Sequence, residues 1–514
     1  MSNKSTGSFY TPISLIQYMK DFVYNRFQAV NILEPSAGDG RFLDIFARPG
    51  CFIHAIELDE IKYRLLNKME NNRIRVTCAD FIDYAFENNE KYDLIIGNPP
   101  YISKKNLSIV ARESSVRLMD YFKIEHSVFQ NLWVTFILGS MKLLSPTGAI
   151  FFVLPFEFLQ VQYAESLRSF LETKFNSIEI ITFENHVFDQ IEQEVCLVYL
   201  KNENSAIPYI KYTTIESVSN TKKIFESIIK RNKPLKKWSN CILSDTETDM
   251  IESISIKYPK IREFGLISPG IVTGANNFFI INKTISSSIK MDQNFLPIIS
   301  KSSDVRNELI FSEQDFISLF NRDKNVLLLN LTGTNEDNFT HELVNYLKIG
   351  CESYEINTRY KCSIRKRWFD VPILKFGDVL FFKRFDLAPK ILVNDAKLNT
   401  TDIAYNIKLR TEFDKYSFAF CFYNSLTLLL CEYNGRFYGG GVGELVPNEF
   451  KDLRIPYQRI NMKQINELDR MFRNKFDFAD IVTYVDSIVL DLSEEEMKSL
   501  HDIRYRYHKR RLKK

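Results

Sequence analysis

Residues 93–101 read Asp93-Leu94-Ile95-Ile96-Gly97-Asn98-Pro99-Pro100-Tyr101, an apolar strand that runs directly into a rigid, polar turn. Two consecutive prolines hold the backbone before them extended and remove two N–H donors. The Asn98 amide oxygen and the Pro99 carbonyl thereby become fixed acceptors without competing donors, and Tyr101 sets a ring beside them. Two acceptors suit a planar amino group, whose two hydrogens need two partners. The plainer alternative is a surface turn of Asn-Pro type.

Upstream and downstream of this turn, short β-branched or aromatic runs alternate with helical patterns. Strands are expected at Val30–Leu33, Cys51–Glu57, Arg73–Thr77, Tyr92–Ile96, Ala149–Leu154, Ser177–Thr182 and Val195–Leu200, and amphipathic helices at Arg41–Ala47, Asp59–Glu70, Val128–Leu144 and Gln160–Lys174. Such alternation argues for an α/β domain with a largely parallel sheet covered on both faces. Sheets of this kind bind ligands beyond the carboxyl ends of their strands.

Three more signals stand at those ends. Glu34-Pro35-Ser36-Ala37-Gly38-Asp39-Gly40 lies between a strand and a helix, where glycine lets the loop turn tightly and bring backbone amides close to a ligand; an ordinary tight turn carries glycines too. Glu57 closes the next strand, placed to accept both hydroxyls of a ribose or simply to favour the following helix alongside Asp59 and Glu60. Asp80-Phe81 follows the third strand and suits an adenine amino group and ring face, or a helix cap and a core aromatic. Together the three read as a nucleoside-binding rim.

The chain has 514 residues, 45% hydrophobic and 25% charged. That length suggests two to four domains at about 100–200 residues each, and the composition excludes a disordered or fibrous chain. Net charge is only +3, but residues 1–200 carry 19 basic and 24 acidic side chains against 48 and 40 in the remainder. The C-terminal region is therefore the one suited to a polyanion. The longest apolar run, Ala149–Phe156, is eight residues, far short of the roughly 18 that span a bilayer, and the polar start MSNKSTGSFYTP lacks a signal peptide's apolar segment. Eight scattered cysteines without a CxxC pair read as reduced thiols of a cytosolic protein, and the six histidines show no metal-ligand spacing. No phosphate-loop GxxxxGK[ST] pattern occurs. Glu449-Phe450-Lys451 mimics the end of a nuclease signature but has no partner acid.

The second half looks suited to nucleic acid. Residues 201–234 are polar and read as a connection, with a fresh start near Leu235–Trp238. Arg359-Tyr360-Lys361 and Arg365-Lys366-Arg367-Trp368 interleave cations with aromatics, as a phosphate-tracking surface does; a solvated loop with one packed tryptophan is the alternative. Arg436 lies within a Gly-rich stretch, Asn434–Gly441. The tail His501–Lys514 carries Arg504, Arg506, Lys509, Arg510, Arg511, Lys513 and Lys514, a basic helix that either grazes phosphates or is merely solvated.

Tyr10-Thr11-Pro12, Glu34–Gly40, Glu57, Asp80-Phe81 and Asn98–Tyr101 resemble the successive motifs of S-adenosylmethionine-dependent, amino-group DNA methyltransferases. The N6-adenine group, with its (Asn/Asp)-Pro-Pro-(Tyr/Phe) signature, is the most similar. The order, with Phe9–Pro12 ahead of the Gly-rich loop and the extra domain behind the catalytic one, resembles the gamma arrangement. Asn131–Phe136, Gly148–Pro155 and Val187-Phe188 fall where that family has later catalytic motifs. Pro269–Phe278 resembles the opening of its recognition domain, and the Gly-rich stretch Asn434–Gly441 ahead of Leu453–Pro456 resembles a late part of it. Cytosine C5 chemistry needs a cysteine nucleophile, usually after proline, and no Pro-Cys occurs.

The resemblance implies a Rossmann-like seven-stranded methyltransferase sheet over residues 1–225 and a mixed α+β target recognition domain over residues 226–514 ending in the basic tail. It implies an adenine-specific enzyme of a bacterial, cytoplasmic restriction–modification system, with double-stranded DNA and a separately encoded restriction endonuclease as partners and S-adenosylmethionine as cofactor. Tyr10, Thr11 and Pro12 would close over that cofactor; Glu34, Pro35, Ser36, Gly38 and Gly40 would cradle it; Glu57 with Leu58 would hold its ribose, and Asp80, Phe81 and Asn98 would complete the site. Asn98, Pro99, Pro100 and Tyr101 would act on the flipped base, with Phe188 stacking opposite Tyr101. Arg359, Arg365, Lys366, Arg367 and Arg436 would contact DNA, and no metal is implied. The rival readings are methylation of a protein glutamine side chain, disfavoured by the long C-terminal extension, and a DNA-binding module with a vestigial methyltransferase fold, disfavoured by the intact Asn98, Glu57 and glycines.

Overall fold

In the computed structural model, strand–helix alternation in the first half of the chain builds a single mixed sheet. Residues 10–185, 187–188, 194–203, 207–230, 234–291, 294–305 and 307–512 are described; Phe9, Lys513 and Lys514, singled out in the sequence, lie outside them. The strands are β1 (Asn31–Glu34), β2 (Phe52–Glu57), β3 (Ile74–Cys78), β4 (Tyr92–Gly97), β5 (Leu144–Pro155), β6 (Ser177–Phe183), β7 (Val195–Lys201), β8 (Tyr209–Ile215) and β9 (Lys223–Lys230). Their order is β3-β2-β1-β4-β5-β7-β6-β8-β9. β1 to β5 pair in parallel, β7 runs antiparallel to both β5 and β6, and β8 and β9 close the far edge.

All seven strands expected from sequence are present. The sheet has nine strands among the described residues, however, not seven, because residues 201–234 supply β8 and β9 rather than a mere connection. In β8, Ile210, Tyr212 and Ile215 are buried while Lys211 and Thr214 are only partly so. β9 is an edge strand whose Lys223, Glu226 and Lys230 are exposed, so its composition looks like a linker. Residues 225 and 226 fall inside this strand.

Helices cover both faces: α1 (Ile13–Tyr24), α2 (Arg41–Phe46), α3 (Glu60–Leu66), α4 (Phe81–Glu87), α5 (Ile109–Phe122), α6 (Trp133–Leu143) and α7 (Glu165–Lys174). Along β4, Leu94 and Ile96 join the core layer of α1 and α2, whereas Ile95 joins the layer of α4 to α7. A strand buried on both faces has no need of polar alternation, which explains the unbroken run Leu94–Ile96. The strand order reverses between β1 and β4, and their carboxyl ends release the Gly-rich loop and the Asn-Pro-Pro turn side by side. That is the switch point where open α/β sheets take their ligands.

The chain divides into two compact units. Of the described residues, the first holds those up to Thr248 together with Arg436–Gly441 and Leu512; the second holds those of Asp249–Gly435 and Val442–Arg511. The second unit has a five-stranded sheet, in the order Gly265–Pro269, Ala404–Leu409, Val379–Phe382, Lys390–Asn394, Ile310–Phe311, and a four-stranded one built on Leu327–Leu329 and Phe295–Ile299. Three helices, Met462–Arg473, Phe478–Val489 and Glu494–Leu512, close the chain. The basic tail is packed rather than simply solvated: Arg511 is 1% exposed, pairs with Glu432 at 3.0 Å and lies 5.2 Å over the Phe385 ring. Burial also pulls the Arg504 guanidinium below its usual pKa. No helix among the described residues is long and apolar enough to cross a membrane.

Candidate active site

The loop after β1 owes its shape to two glycines. Gly38 (φ +60°) and Gly40 (φ +83°) occupy the left-handed region, where a Cβ is strained, and a Cβ on Gly40 would also stand 2.6 Å from Leu66 Cδ2. The turn brings the Gly38 N–H onto Glu57 Oε2 at 2.7 Å, while Glu57 Oε1 accepts the Asp59 N–H at 2.9 Å. Glu57 thus ties the loop of β1 to the end of β2. Each of its oxygens keeps a second lone-pair site for a hydroxyl. Glu34 lies beneath, 1% exposed, and among the described residues its Oε2 has no hydrogen-bond partner. Burial, reinforced by the Glu57 and Asp39 carboxylates, holds its pKa well above the carboxyl range.

Asp80 caps α4 by accepting the Ile82 N–H at 2.8 Å, and burial raises its pKa. Phe81 is 2% exposed and tilts against Phe136 with ring centroids 4.9 Å apart. The helix cap and the core aromatic are both present, and the same two residues also wall a cavity.

After β4, the Asn98 Nδ2 donates to Thr11 Oγ1 at 3.2 Å and the Asn98 carbonyl accepts the Ser36 hydroxyl at 3.3 Å. The Thr11 carbonyl in turn accepts from Arg41 Nη1 at 2.6 Å. Tyr101 donates its hydroxyl to the Val153 carbonyl at 3.2 Å, which fixes the ring. These elements surround a cavity of about 410 Å³ walled by Tyr10, Pro35, Ser36, Gly38, Glu57, Leu58, Asp80, Phe81 and Asn98–Tyr101. Most of the site residues expected in this half therefore meet in one place. Thr11, Pro12, Glu34 and Gly40 stand behind the wall: Thr11 holds Asn98, Pro12 precedes α1 and accepts its first N–H groups, and Gly40 opens α2. A larger open depression, about 550 Å³ beside Arg26, Glu179 and Tyr209, lies at the opposite strand ends.

Phe188 departs from expectation. It is half-buried against the core layer of α1 and α2 and does not line the cavity. The cations expected to face DNA also sort differently. Arg365 donates to the carbonyls of Val272 (3.0 Å), Thr273 (2.8 Å) and Trp368 (3.3 Å). Arg367 is clamped to Asp370 by two bonds of 2.8 Å and reaches the carbonyls of Thr334 and Leu331. Both guanidinium groups are committed within their own unit, whereas Arg359 and Lys366 are exposed.

Arg436 belongs to the first unit, where its charge opposes the burial-raised pKa of Glu157. Phe437, 6% exposed, packs on Phe156 at 4.9 Å and is bracketed by Gln160, whose amide donates to the Phe437 carbonyl (2.6 Å) and accepts its N–H (3.2 Å). Sequence reading missed this seat because its partners are 277 residues apart. It also missed Ile102 as a cavity wall, whose apolar character alone marks only core, whereas Leu132 and Phe136 fall within the motif position Asn131–Phe136.

Two family profiles match the chain: the Eco57I restriction-modification methylase over residues 48–188, and the C-terminal domain of type II methyltransferase M.Eco57I over residues 235–490. The chain is 26% identical to type II methyltransferase M.AccI of Acinetobacter calcoaceticus over 531 residues, covering 96% of this chain and 94% of that one. It is 26% identical to M.HincII of Haemophilus influenzae, covering 75% and 72%. Among solved structures, the restriction–modification enzyme MmeI in complex with DNA matches 97% of this chain and 75% of its own at a TM-score of 0.57 and 12% identity. The type ISP enzyme LlaGI, a nuclease-deletion mutant, matches 91% and 54% at a TM-score of 0.53 and 14% identity; these two bear on the fold alone. The fold, the site and the profiles define a DNA methyltransferase of a type II restriction–modification system. More narrowly, the chain belongs to the Eco57I family of restriction–modification methyltransferases.

Proposed function

We propose that this enzyme methylates N6 of an adenine extruded from duplex DNA, in the gamma arrangement, with the second unit, Asp249–Gly435 and Val442–Arg511, as the target recognition domain and S-adenosylmethionine as methyl donor. The observation that carries the reading is the Asn98 amide, pinned by Thr11 at the wall of a cavity that also presents Glu57 and Phe81. The residues fit the donor. Glu57 offers lone pairs to a ribose, Phe81 a ring face to an adenine, and Gly38 a stretch of cavity wall without a Cβ. When bound, S-adenosylmethionine supplies an electrophilic methyl sulfonium.

The exocyclic amine of adenine is a poor nucleophile because its lone pair is delocalised into the ring. Asn98 Oδ1 and the Pro99 carbonyl would accept hydrogen bonds from its two N–H groups and favour a pyramidal nitrogen, which frees that lone pair for the new N–C bond; the electron pair of the broken methyl–sulfur bond would stay on sulfur, and the surplus N6 proton would leave to solvent. The contribution is orientation together with fixed dipoles. Extruding the base costs a few kcal/mol, and the Tyr101 ring, held by its bond to Val153, stacks on the base and offsets part of it. Arg359 and Lys366 meet phosphates.

The test is to incubate the purified chain with S-adenosylmethionine labelled on the methyl group and unmodified duplex DNA, then digest to nucleosides. Label in N6-methyldeoxyadenosine supports the reading, and label in N4-methyldeoxycytidine or in protein glutamine overturns it.

A further inference from the structure

The chain leaving the cavity carries a feature that methyl transfer itself does not require. Tyr101 and Ile102 wall the cavity. From there the backbone is stapled to the entry of α6: Leu132 N–H bonds to the Ile102 carbonyl (2.9 Å), Lys104 N–H bonds to the Gln130 carbonyl (2.9 Å), and Ser103 bridges Asn131. A tight turn, Lys104–Asn106, follows. Ser108 then caps α5 by accepting the Ala111 N–H at 3.1 Å, and Arg112 Nη2 ties back to the Lys105 carbonyl at 2.9 Å. On this braced turn stand Ile109, 72% exposed, and Val110, 67% exposed. Two branched aliphatic side chains are held in water while Leu107, two residues away, packs on the core. Around them the sequence places Lys104, Lys105 and Arg112 against one acid, Glu113.

Of these cations Lys105 is exposed, while Lys104 lies over the Phe129 ring at 5.2 Å and Arg112 is tied to the Lys105 carbonyl; a braced apolar tip beside an exposed lysine, joined to the Asn-Pro-Pro-Tyr turn, suits the base stack and backbone of a duplex. We propose that Ile109 and Val110 form a wedge that enters the DNA beside the target base and holds its place while it is extruded, with Lys105 on a neighbouring phosphate. The proposal rests on the reading that the target base leaves the helix. Both residues touch no part of the cavity, so their role is to position the DNA.

The test compares the parent with the double variant Ile109→Ala, Val110→Ala on two duplexes, one with the target base normally paired and one with it mismatched. A mismatch removes most of the extrusion penalty. The variant is expected to lose at least about tenfold in kcat/KM on the paired duplex and to recover most of that on the mismatched one. Its melting temperature and its affinity for S-adenosylmethionine should stay at the parent values, because exposed side chains are being shortened. Lys105→Ala should separately lower the log–log salt slope of DNA binding by about 0.9. Parental kinetics on the paired duplex, or an equal loss on both duplexes, overturns the wedge. If the parent marks a base other than adenine, the reading of the target is wrong, and the same paired-against-mismatched comparison at the marked base still decides the wedge.

Discussion

The Asn98 side chain donates Nδ2 to Thr11 Oγ1 at 3.2 Å, linking the turn after β4 to the residue just ahead of the cap of α1. An asparagine amide carries its donor and its acceptor on opposite edges, so a partner for Nδ2 decides which way Oδ1 faces. Thr11 is 3% exposed and anchored through its own carbonyl to Arg41. The orientation of the Asn98 amide is therefore set by a residue that does not wall the cavity.

Thr11→Val keeps the volume and removes the acceptor. It is expected to lower kcat by about tenfold, the scale of one lost positioning hydrogen bond of roughly 1–1.5 kcal/mol, with the KM for S-adenosylmethionine unchanged. Thr11→Ser, which restores the hydroxyl, should return most of kcat. Loss of cofactor affinity in Thr11→Val with kcat intact would place Thr11 among the cofactor-binding residues instead.

Glu57 holds two backbone N–H groups, of Gly38 and Asp59. Glu57→Gln keeps one acceptor oxygen and Glu57→Ala none. Affinity for S-adenosylmethionine, measured by calorimetry, should fall in that order, by about tenfold and by about a hundredfold or more, since a hydrogen bond to a charged group is worth about 1.5–3 kcal/mol. Equal affinity in all three proteins would remove Glu57 from the site.

His54 is 0% exposed, with Nδ1 2.6 Å from the Tyr92 hydroxyl and Nε2 2.8 Å from Thr77 Oγ1. Burial, helped by Arg75 and opposed by Glu90, lowers its pKa to about 4. The folded state thus prefers the neutral ring, and as pH falls from about 6.5 to about 4 the unfolded chain takes up the proton first. Stability should fall across that window by up to about 3 kcal/mol. Melting temperatures from about pH 7.5 to about pH 4.5 should decline less steeply in His54→Asn than in the parent, whatever the variant's starting value. Parallel declines would show that His54 does not titrate there.

Arg365→Ala removes the donor to three carbonyls in the second unit, of which that of Thr273 keeps the Cys362 thiol. A drop in melting temperature is expected, with the salt slope of DNA binding nearly unchanged. Arg359→Ala with Lys366→Ala should do the reverse, keeping the melting temperature and lowering the log–log slope by about 0.9 for each phosphate that is no longer neutralised. A slope that follows Arg365 rather than Lys366 would exchange their roles.

What can be read from sequence is local. The Asn-Pro-Pro-Tyr turn, the Gly-rich loop, Glu57 and Asp80-Phe81 each sit at a strand end, where a few consecutive residues fix both backbone and chemistry, and they meet around one cavity. What escapes is decided by distant partners. β9 presents charged side chains because it is an edge, and so passes for a linker. Arg365 and Arg367 look like a phosphate surface until their carbonyl and carboxylate partners are placed. Phe188 is expected beside the flipped base by its position in a motif, yet its burial is set by packing against the layer of α1 and α2. Phe437 and Gln160 meet only through the fold.

The most direct test is single-turnover methyl transfer by the parent and by Asn98→Ala on the enzyme's own recognition duplex, with the product base identified. The parent should convert one adenine to N6-methyladenine. The variant should bind S-adenosylmethionine and DNA with near-parental affinity and transfer the methyl group at least about a thousandfold more slowly, since the interaction removed is one used in the transition state. Transfer by folded Asn98→Ala at a rate within a few fold of the parent would contradict the account.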